Sequence, residues 1–173
     1  MASKILTGDM IELMDNILNN LDNEISSLHS CALVSRYWCK LSIPLLWQNP
    51  FSIDQSSSFI FQYFSSLEET EKIILKEYGI NINFPNTLFN YAKFLKVLDL
   101  PRLEGKVNNW IDLQQISMNQ SLKCHIINLL FKLFVESGAI LHKLDLYLFY
   151  YEIKPEIFHS LERNKQFSHN SMI

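Results

Sequence analysis

Glycine is scarce in this chain, and its scarcity argues against the common nucleotide-binding sites. The 173 residues include only four glycines, and they are far apart: Gly8, Gly79, Gly105 and Gly138. A loop that cradles phosphate groups needs clustered glycines, because its backbone must approach the phosphate oxygens closely. The nucleophile motif G-x-S-x-G is absent as well. The sequence therefore offers no recognisable scaffold for nucleotide binding or serine-hydrolase chemistry.

Cysteine is also sparse, and neither a disulfide framework nor a zinc site is expected. The three cysteines, Cys31, Cys39 and Cys124, are odd in number and lie in apolar helical surroundings. No C-x-x-C or H-E-x-x-H motif occurs, although the chain has five histidines. We expect buried, reduced thiols, no metal and no cofactor. Such thiols are typical of a reducing compartment, so we expect the protein in the cytoplasm, the nucleus or both.

The chain lacks a cationic run and a long apolar run. Its net charge is −3 and its basic residues are scattered singly, so we expect no nucleic-acid partner. The most apolar segment, residues 126–135, is about half of the roughly 20 residues that cross a bilayer. Asp9 and Glu12 interrupt the N-terminal residues where a secretory signal would be apolar. We therefore expect neither export nor membrane insertion.

Apolar residues, at 48%, provide ample material for a core, and those near the N-terminus follow a helical period. A first helix from Asp9 presents one apolar stripe: Met10, Leu13, Met14, Ile17, Leu18 and Leu21. A second helix is predicted over about residues 24–40. Its predicted buried side consists of Ile25, Leu28, Ala32, Val34, Trp38 and Leu41. Pro44 is expected to stop it and to open a short third helical turn, residues 44–47.

These first 51 residues hold more apolar surface than a module of this size can bury. Small domains bury too little of their surface to be stable alone. Two explanations remain open from composition: a partner protein covers the apolar helices, or helix one packs on the downstream half of the same chain.

A polar run at residues 54–58 marks the predicted boundary with a second region. There we predict a helix beginning at residues 59–64. A capping box at Ser65 or Ser66 with Glu68 or Glu69 is expected to open another helix, which ends at Gly79. A last helix is predicted over 155–163.

Two look-alike segments follow in this second region. A short helix over 88–94 and a longer helix over 122–137, the latter through Gly138, each lead into L-x-x-L-x-L. The two motifs lie at residues 95–100 and 141–146, with an offset of 46 residues. This spacing is typical of a leucine-rich repeat, in which a strand stacks on a helix.

Three groups of residues near the N-terminus resemble the F-box. Residues 10–21 resemble the first helix of that family, which reads acidic-Leu-Leu-x-x-Ile-Leu. Residues 27–38 resemble its second helix, L-x-x-x-x-L-V-x-R-x-W, and residues 43–47 resemble its closing L-W. The whole chain is similar to fungal F-box proteins with degenerate leucine-rich repeats. One departure is that Met10 and Ile11 precede Glu12, where the family usually has a proline.

The expected fold is mainly α: a three-helix F-box at 1–51, then an incomplete, leucine-rich-repeat-like region of short helices and strands at 52–173. The resemblance implies a non-catalytic substrate receptor. It would bind an adaptor of the S-phase kinase-associated protein (Skp) family, and through it a cullin and ring-finger ubiquitin ligase. The second region would then select an unknown protein substrate. The resemblance assigns as adaptor-binding residues Met10, Ile11, Glu12, Leu13, Val34, Arg36, Trp38, Leu46 and Trp47. Leu18, Leu21 and Leu28 are expected to hold the helices together.

Two other functions remain open at this point. At least three repeats are usually needed for a stable stack, and this chain contains about two. A truncated receptor that binds the adaptor without recognising a substrate is therefore the main alternative. An enzyme of unrecognised type is the weaker one, since it would need a concave site with perturbed titratable groups.

Overall fold

The structure of the chain, a computed structural model, describes residues 8–21, 24–52, 57–80, 86–116 and 119–145, with side chains from residue 12 onward. Within these ranges it contains seven α-helices, single 3-10 turns and two three-residue strands. The predicted mainly α fold is confirmed. The chain divides into two compact units, residues 1–48 and 49–173. The helix predicted at 155–163 and Leu146 of the second leucine motif lie outside the described residues.

The described part of the first unit consists of three helices: α1 (Gly8–Asn20), α2 (Ile25–Val34) and α3 (Arg36–Leu46). Each helix contributes one leucine to the core, namely Leu18, Leu28 and Leu46. Half-buried side chains surround this leucine cluster, and Leu21, Trp38 and Trp47 are among them. The predicted packing role of Leu18, Leu21 and Leu28 agrees with these positions.

The prediction of a single helix over residues 24–40 is wrong, because the helical conformation is interrupted at Ser35. This residue is extended, with φ −162° and ψ 167°, and lies between α2 and α3. Its hydroxyl oxygen accepts a hydrogen bond from the backbone N–H of Trp38 at 3.3 Å. That bond satisfies one of the free donors at the start of α3, as an N-cap serine does. Val34 consequently ends a helix and is exposed, although the helical period predicted it to be buried.

Pro44 does not stop the helix, contrary to the prediction, but lies inside α3. Proline lacks an N–H group and usually disrupts a helix interior. Here it falls in the last turn, where the burial of Leu46 in the core favours the helical path. The backbone N–H of Trp47 then donates to the carbonyl of Ile43 at 3.1 Å, which completes the turn.

The described residues of the second unit form six regular elements in chain order: α4 (Ile60–Phe64), α5 (Glu69–Glu77), β1 (Val97–Asp99), α6 (Leu100–Leu113), α7 (Gln120–Glu136) and β2 (Lys143–Asp145). Single 3-10 turns lie at Pro50–Ser52, Ser57–Phe59 and Tyr91–Phe94. Aromatic side chains fill its interior. Phe64 meets Trp110 edge to face with ring centroids 5.2 Å apart, and Tyr63 meets Phe134 at 5.0 Å. Such edge-to-face pairs stabilise a core beyond the area they bury.

The capping box of α5 lies two to three residues later than predicted. The residues that form it are Glu68 and Glu71, because Ser65 belongs to the preceding turn. One carboxylate oxygen of Glu71 accepts from the Glu68 N–H at 3.2 Å, and the other accepts from Lys132 Nζ of α7 at 2.8 Å. The predicted end at Gly79 is confirmed: its φ of +88° is the left-handed conformation that favours glycine.

The two leucine motifs meet as a parallel pair of strands. Leu98 of β1 lies opposite Leu144 of β2, with Val97 opposite Lys143 and Asp99 opposite Asp145. This register equals the 46-residue offset between the motifs. Leu98 is fully buried and Leu144 is half-buried. Leu100 begins α6 instead of ending the strand, which corrects the predicted extent of the first motif. The leucine-rich-repeat character of residues 52–173 stays a prediction.

A partly buried ion pair joins α6 to α7 and provides a first test of the packing. Lys123 Nζ lies 2.9 Å from Glu104 Oε1, and only 9% of the Lys123 side chain is exposed. We expect Glu104→Ala to lower the free energy of unfolding by about 2 to 3 kcal/mol, because it removes this carboxylate from a buried ammonium group. Urea unfolding followed by circular dichroism measures the change.

The matched control is Glu69→Ala. Glu69 and Lys72 are also 2.9 Å apart, but 80% of the Glu69 side chain is exposed. Solvent screens such a pair, so this substitution should leave the unfolding curve nearly unchanged. If both substitutions shifted the curve equally, burial would not determine the contribution of the Lys123–Glu104 pair.

Candidate protein-binding site

Helix α1 presents two apolar stripes instead of one. Met14 and Leu18, four residues apart, are buried, and Leu18 belongs to the leucine cluster. Leu13 and Ile17, also four residues apart, remain 54% and 41% exposed. Residues at this spacing are neighbours on a helix surface, so each pair forms one continuous stripe. The first stripe holds α1 in the unit, and the second faces solvent.

A second exposed apolar pair ends α2. Leu33 is 87% exposed and Val34 is 67% exposed. Their exposure follows from the break at Ser35, because the helix stops there and α3 begins on a new course. Burial of these two side chains against another surface would lower the free energy by about 25 cal/mol for each Å² of apolar area removed from water. Together with Leu13 and Ile17 they give this small unit an apolar surface of the kind that binds another protein.

Charged side chains lie near both pairs along the chain. Glu12 and Asp15 are exposed on α1 beside Leu13, and Arg36 is exposed at the first position of α3, two residues after Val34. Protein interfaces commonly surround an apolar centre with polar residues of this kind, which add specificity more than affinity.

The residues predicted to bind an adaptor fall into three groups. Glu12, Leu13, Val34 and Arg36 are exposed. Trp38 and Trp47 are half-buried against the leucine cluster, and Leu46 is part of it, with little surface left for a direct contact. Met10 and Ile11 lie in α1, but their side chains are outside the described residues. The adaptor-binding role of all nine stays a prediction.

Two exposed apolar residues, Ile17 and Leu33, were not among the predicted contacts. Ile17 was assigned to a single buried stripe, yet its spacing of four from Leu13 would have placed the two side by side. Leu33 precedes the break at Ser35, and the serine N-cap is the signal that could have revealed it.

The described part of the chain contains neither a metal-binding cluster nor a membrane-spanning helix. No group of three histidine, cysteine, aspartate or glutamate side chains there is arranged to hold a metal ion. The described helices are all too short or too polar to cross a bilayer. Cys31, Cys39 and Cys124 are half-buried free thiols. Partial burial raises the pKa of the Cys124 thiol, which disfavours the reactive thiolate.

Comparison with known families gives one match. Residues 11–52 match the F-box-like family, a segment that begins in α1 and ends at Ser52. No curated protein and no solved structure matches the chain. The N-terminal segment therefore contains an F-box-like domain, and the match covers both exposed apolar pairs.

Proposed function

Because residues 11–52 form an F-box-like domain, we propose that this chain is a non-catalytic substrate receptor of a Skp–cullin–F-box ubiquitin ligase. The first unit binds an adaptor of the Skp family, and the adaptor connects the chain to a cullin and a ring-finger protein. The second unit presents a protein to be ubiquitylated. The chain itself performs no chemistry, and we place it in the cytoplasm, the nucleus or both.

The exposed stripe of α1 is the observation that carries this proposal. A helix that keeps Leu13 and Ile17 in solvent, although the neighbouring stripe is buried, has a side suited to another protein. Leu33 and Val34 at the end of α2 add a second apolar contact within the same matched segment. We infer that the adaptor covers these four side chains and that Glu12 and Arg36 form the polar edge.

For the second unit, the parallel pair β1 and β2 supports a region of degenerate leucine-rich repeats, similar to those of fungal F-box proteins. Its strands pair at the register of the two leucine motifs. The described residues contain only two such strands. A second candidate is a shortened receptor that binds the adaptor, recognises no substrate and competes with complete receptors.

Co-expression with the adaptor tests the proposal. We expect the chain alone to be poorly soluble or self-associated, and the chain co-expressed with a Skp-family adaptor to elute as a one-to-one complex. The physical reason is that binding covers the exposed apolar pairs and stabilises the folded state by mass action. Size-exclusion chromatography with light scattering measures both states. Equal solubility with and without the adaptor, together with no complex, would contradict adaptor binding.

A further inference from the structure

A surface in the second unit, away from the matched segment of the sequence, also has the properties of a binding site. Between residues 86 and 96 the chain forms a loop and a 3-10 turn, Tyr91–Phe94. Its inner side is anchored by Ala92 and Leu95, which are buried. The other side chains of this segment reach solvent. Leu88 is almost wholly exposed and Lys93 is exposed, while the aromatic rings of Phe89, Tyr91 and Phe94 are half-exposed. We call these five residues the aromatic patch.

The rings of the aromatic patch form one contiguous group. The ring centroid of Phe89 is 6.0 Å from that of Tyr91 and 6.4 Å from that of Phe94. The ammonium group of Lys93 lies 4.9 Å from the centroid of Phe94, in a cation–π contact. Leu88 is 90% exposed, the most exposed of the large apolar side chains described. Aromatic side chains are enriched at protein interfaces, and tyrosine is enriched among their hot spots.

Hydrogen bonds hold the backbone of the aromatic patch in place. The Thr87 hydroxyl donates to the carbonyl of Phe89 at 3.0 Å and lies 3.0 Å from the hydroxyl of Ser65, just after α4. On the far side, the Leu95 N–H donates to the carbonyl of Ala92 at 3.3 Å. These bonds fix the segment before any partner arrives, which lowers the entropy that binding must overcome.

The charge of this segment indicates the chemistry of its partner. Lys93 and Lys96 are both exposed, and no aspartate or glutamate occurs between residues 80 and 98 of the sequence. A carboxylate next to Lys93 could pair with the ammonium group while an apolar side chain packs against the rings and Leu88. Basic segments of a partner would meet like charge, which costs affinity and selects against them.

We propose that the aromatic patch binds an extended protein segment in which an apolar side chain lies next to carboxylates. Assigning that segment to the substrate rests on the proposed function, whereas the binding itself does not depend on the adaptor. The surface thus gives the second unit a recognition role, and it distinguishes a working receptor from a shortened competitor.

Selection of a display library of random short peptides on the purified full chain, with and without the adaptor, tests this proposal. We expect enrichment of peptides that combine an aromatic or aliphatic residue with aspartate or glutamate. A labelled peptide from the enriched set should then bind about tenfold or more weakly to Leu88→Ser and to Lys93→Glu, as measured by fluorescence anisotropy. Both substitutions change exposed side chains, so neither should alter the thermal unfolding curve.

The matched control is Leu113→Ser, which removes an exposed leucine from α6 of the same unit and should bind the peptide normally. Three results would overturn the proposal: no enrichment, enrichment of basic peptides, or unchanged binding by the Leu88 and Lys93 variants. A change from dimer to monomer in Leu88→Ser, without peptide selection, would assign the patch to self-association instead. Adaptor binding is measured on the same variants, so its failure counts against the proposed function and not against the patch.

Discussion

Replacing Leu28 with alanine is expected to lower the free energy of unfolding of the first unit by about 2 to 5 kcal/mol, the usual cost of emptying a buried leucine site. Leu28 is fully buried and belongs to one cluster with the leucines of α1 and α3, Leu18 and Leu46. Loss of its side chain therefore weakens all three helices at once. A module of this size has little stability to lose, so a large part of the population should unfold near room temperature.

Thermal unfolding by circular dichroism and adaptor binding by calorimetry are measured together. Affinity should fall only as far as the folded fraction falls. The control is Leu33→Ala on the same helix, which truncates a leucine that is 87% exposed and should leave the unfolding temperature nearly unchanged. If Leu28→Ala melted like the unmodified chain, the leucine cluster would not be the core of this unit.

Replacing Val34 with aspartate is expected to have the opposite result, with intact folding and lost binding. Val34 is 67% exposed at the end of α2, so the carboxylate stays in water in the free chain. In a complex it would be buried against the adaptor, where an unpaired charge is costly. We expect adaptor affinity to fall by about 2 kcal/mol or more, roughly thirtyfold in the dissociation constant. Calorimetric titration with the purified adaptor provides the measurement.

Ile73→Asp provides the control, because it introduces the same charge at an exposed isoleucine of α5 in the second unit. It should leave the affinity unchanged. Trp47→Ala is less selective: Trp47 is a predicted contact, but its half-buried ring also packs on the leucine cluster. It should therefore lower both affinity and stability. Normal adaptor binding by Val34→Asp would exclude the end of α2 from the interface.

Residue spacing predicts much of the first unit, and the predictions that are wrong there have local causes. The helical period correctly predicts Leu18 and Leu28 as core residues, since burial follows the 3.6-residue repeat. The same period fails at Val34, because the hydroxyl of Ser35 offers the backbone a cap that ends one helix and starts another. The period also cannot separate the buried stripe of α1 from its exposed neighbour. The packing of α1 on α2 and α3 decides which of the two is covered.

Helix α6 was not predicted, although the sequence carries its signals. Asp99 is its N-cap, with the side chain accepting from the Arg102 N–H at 2.9 Å, and Pro101 lies in its first turn. The leucine motif predicts a strand that continues through Leu100. In the structure Leu100 begins this helix instead. The buried positions Leu103, Val107 and Trp110 then recur at helical spacing. Assignment of the aspartate as a cap would have revealed the helix.

The aromatic patch could not be predicted from the sequence. Phe89, Tyr91 and Phe94 are as apolar as the residues of the core, and composition alone assigns them to the interior. Their half-exposed positions depend on the anchoring of Ala92 and Leu95 beneath them and on the bonds of Thr87, which are tertiary contacts.

The parallel strands also determine when the second unit can complete its fold during synthesis. β1 and β2 pair residues 46 positions apart, with two whole helices between them. Closing so long a loop is slow compared with forming helices, because the chain loses entropy before any strand bond compensates. The first unit, whose α2 and α3 are adjacent in sequence, can be formed while residues 143–145 are still untranslated. An adaptor could therefore bind a nascent chain whose second unit has not yet folded.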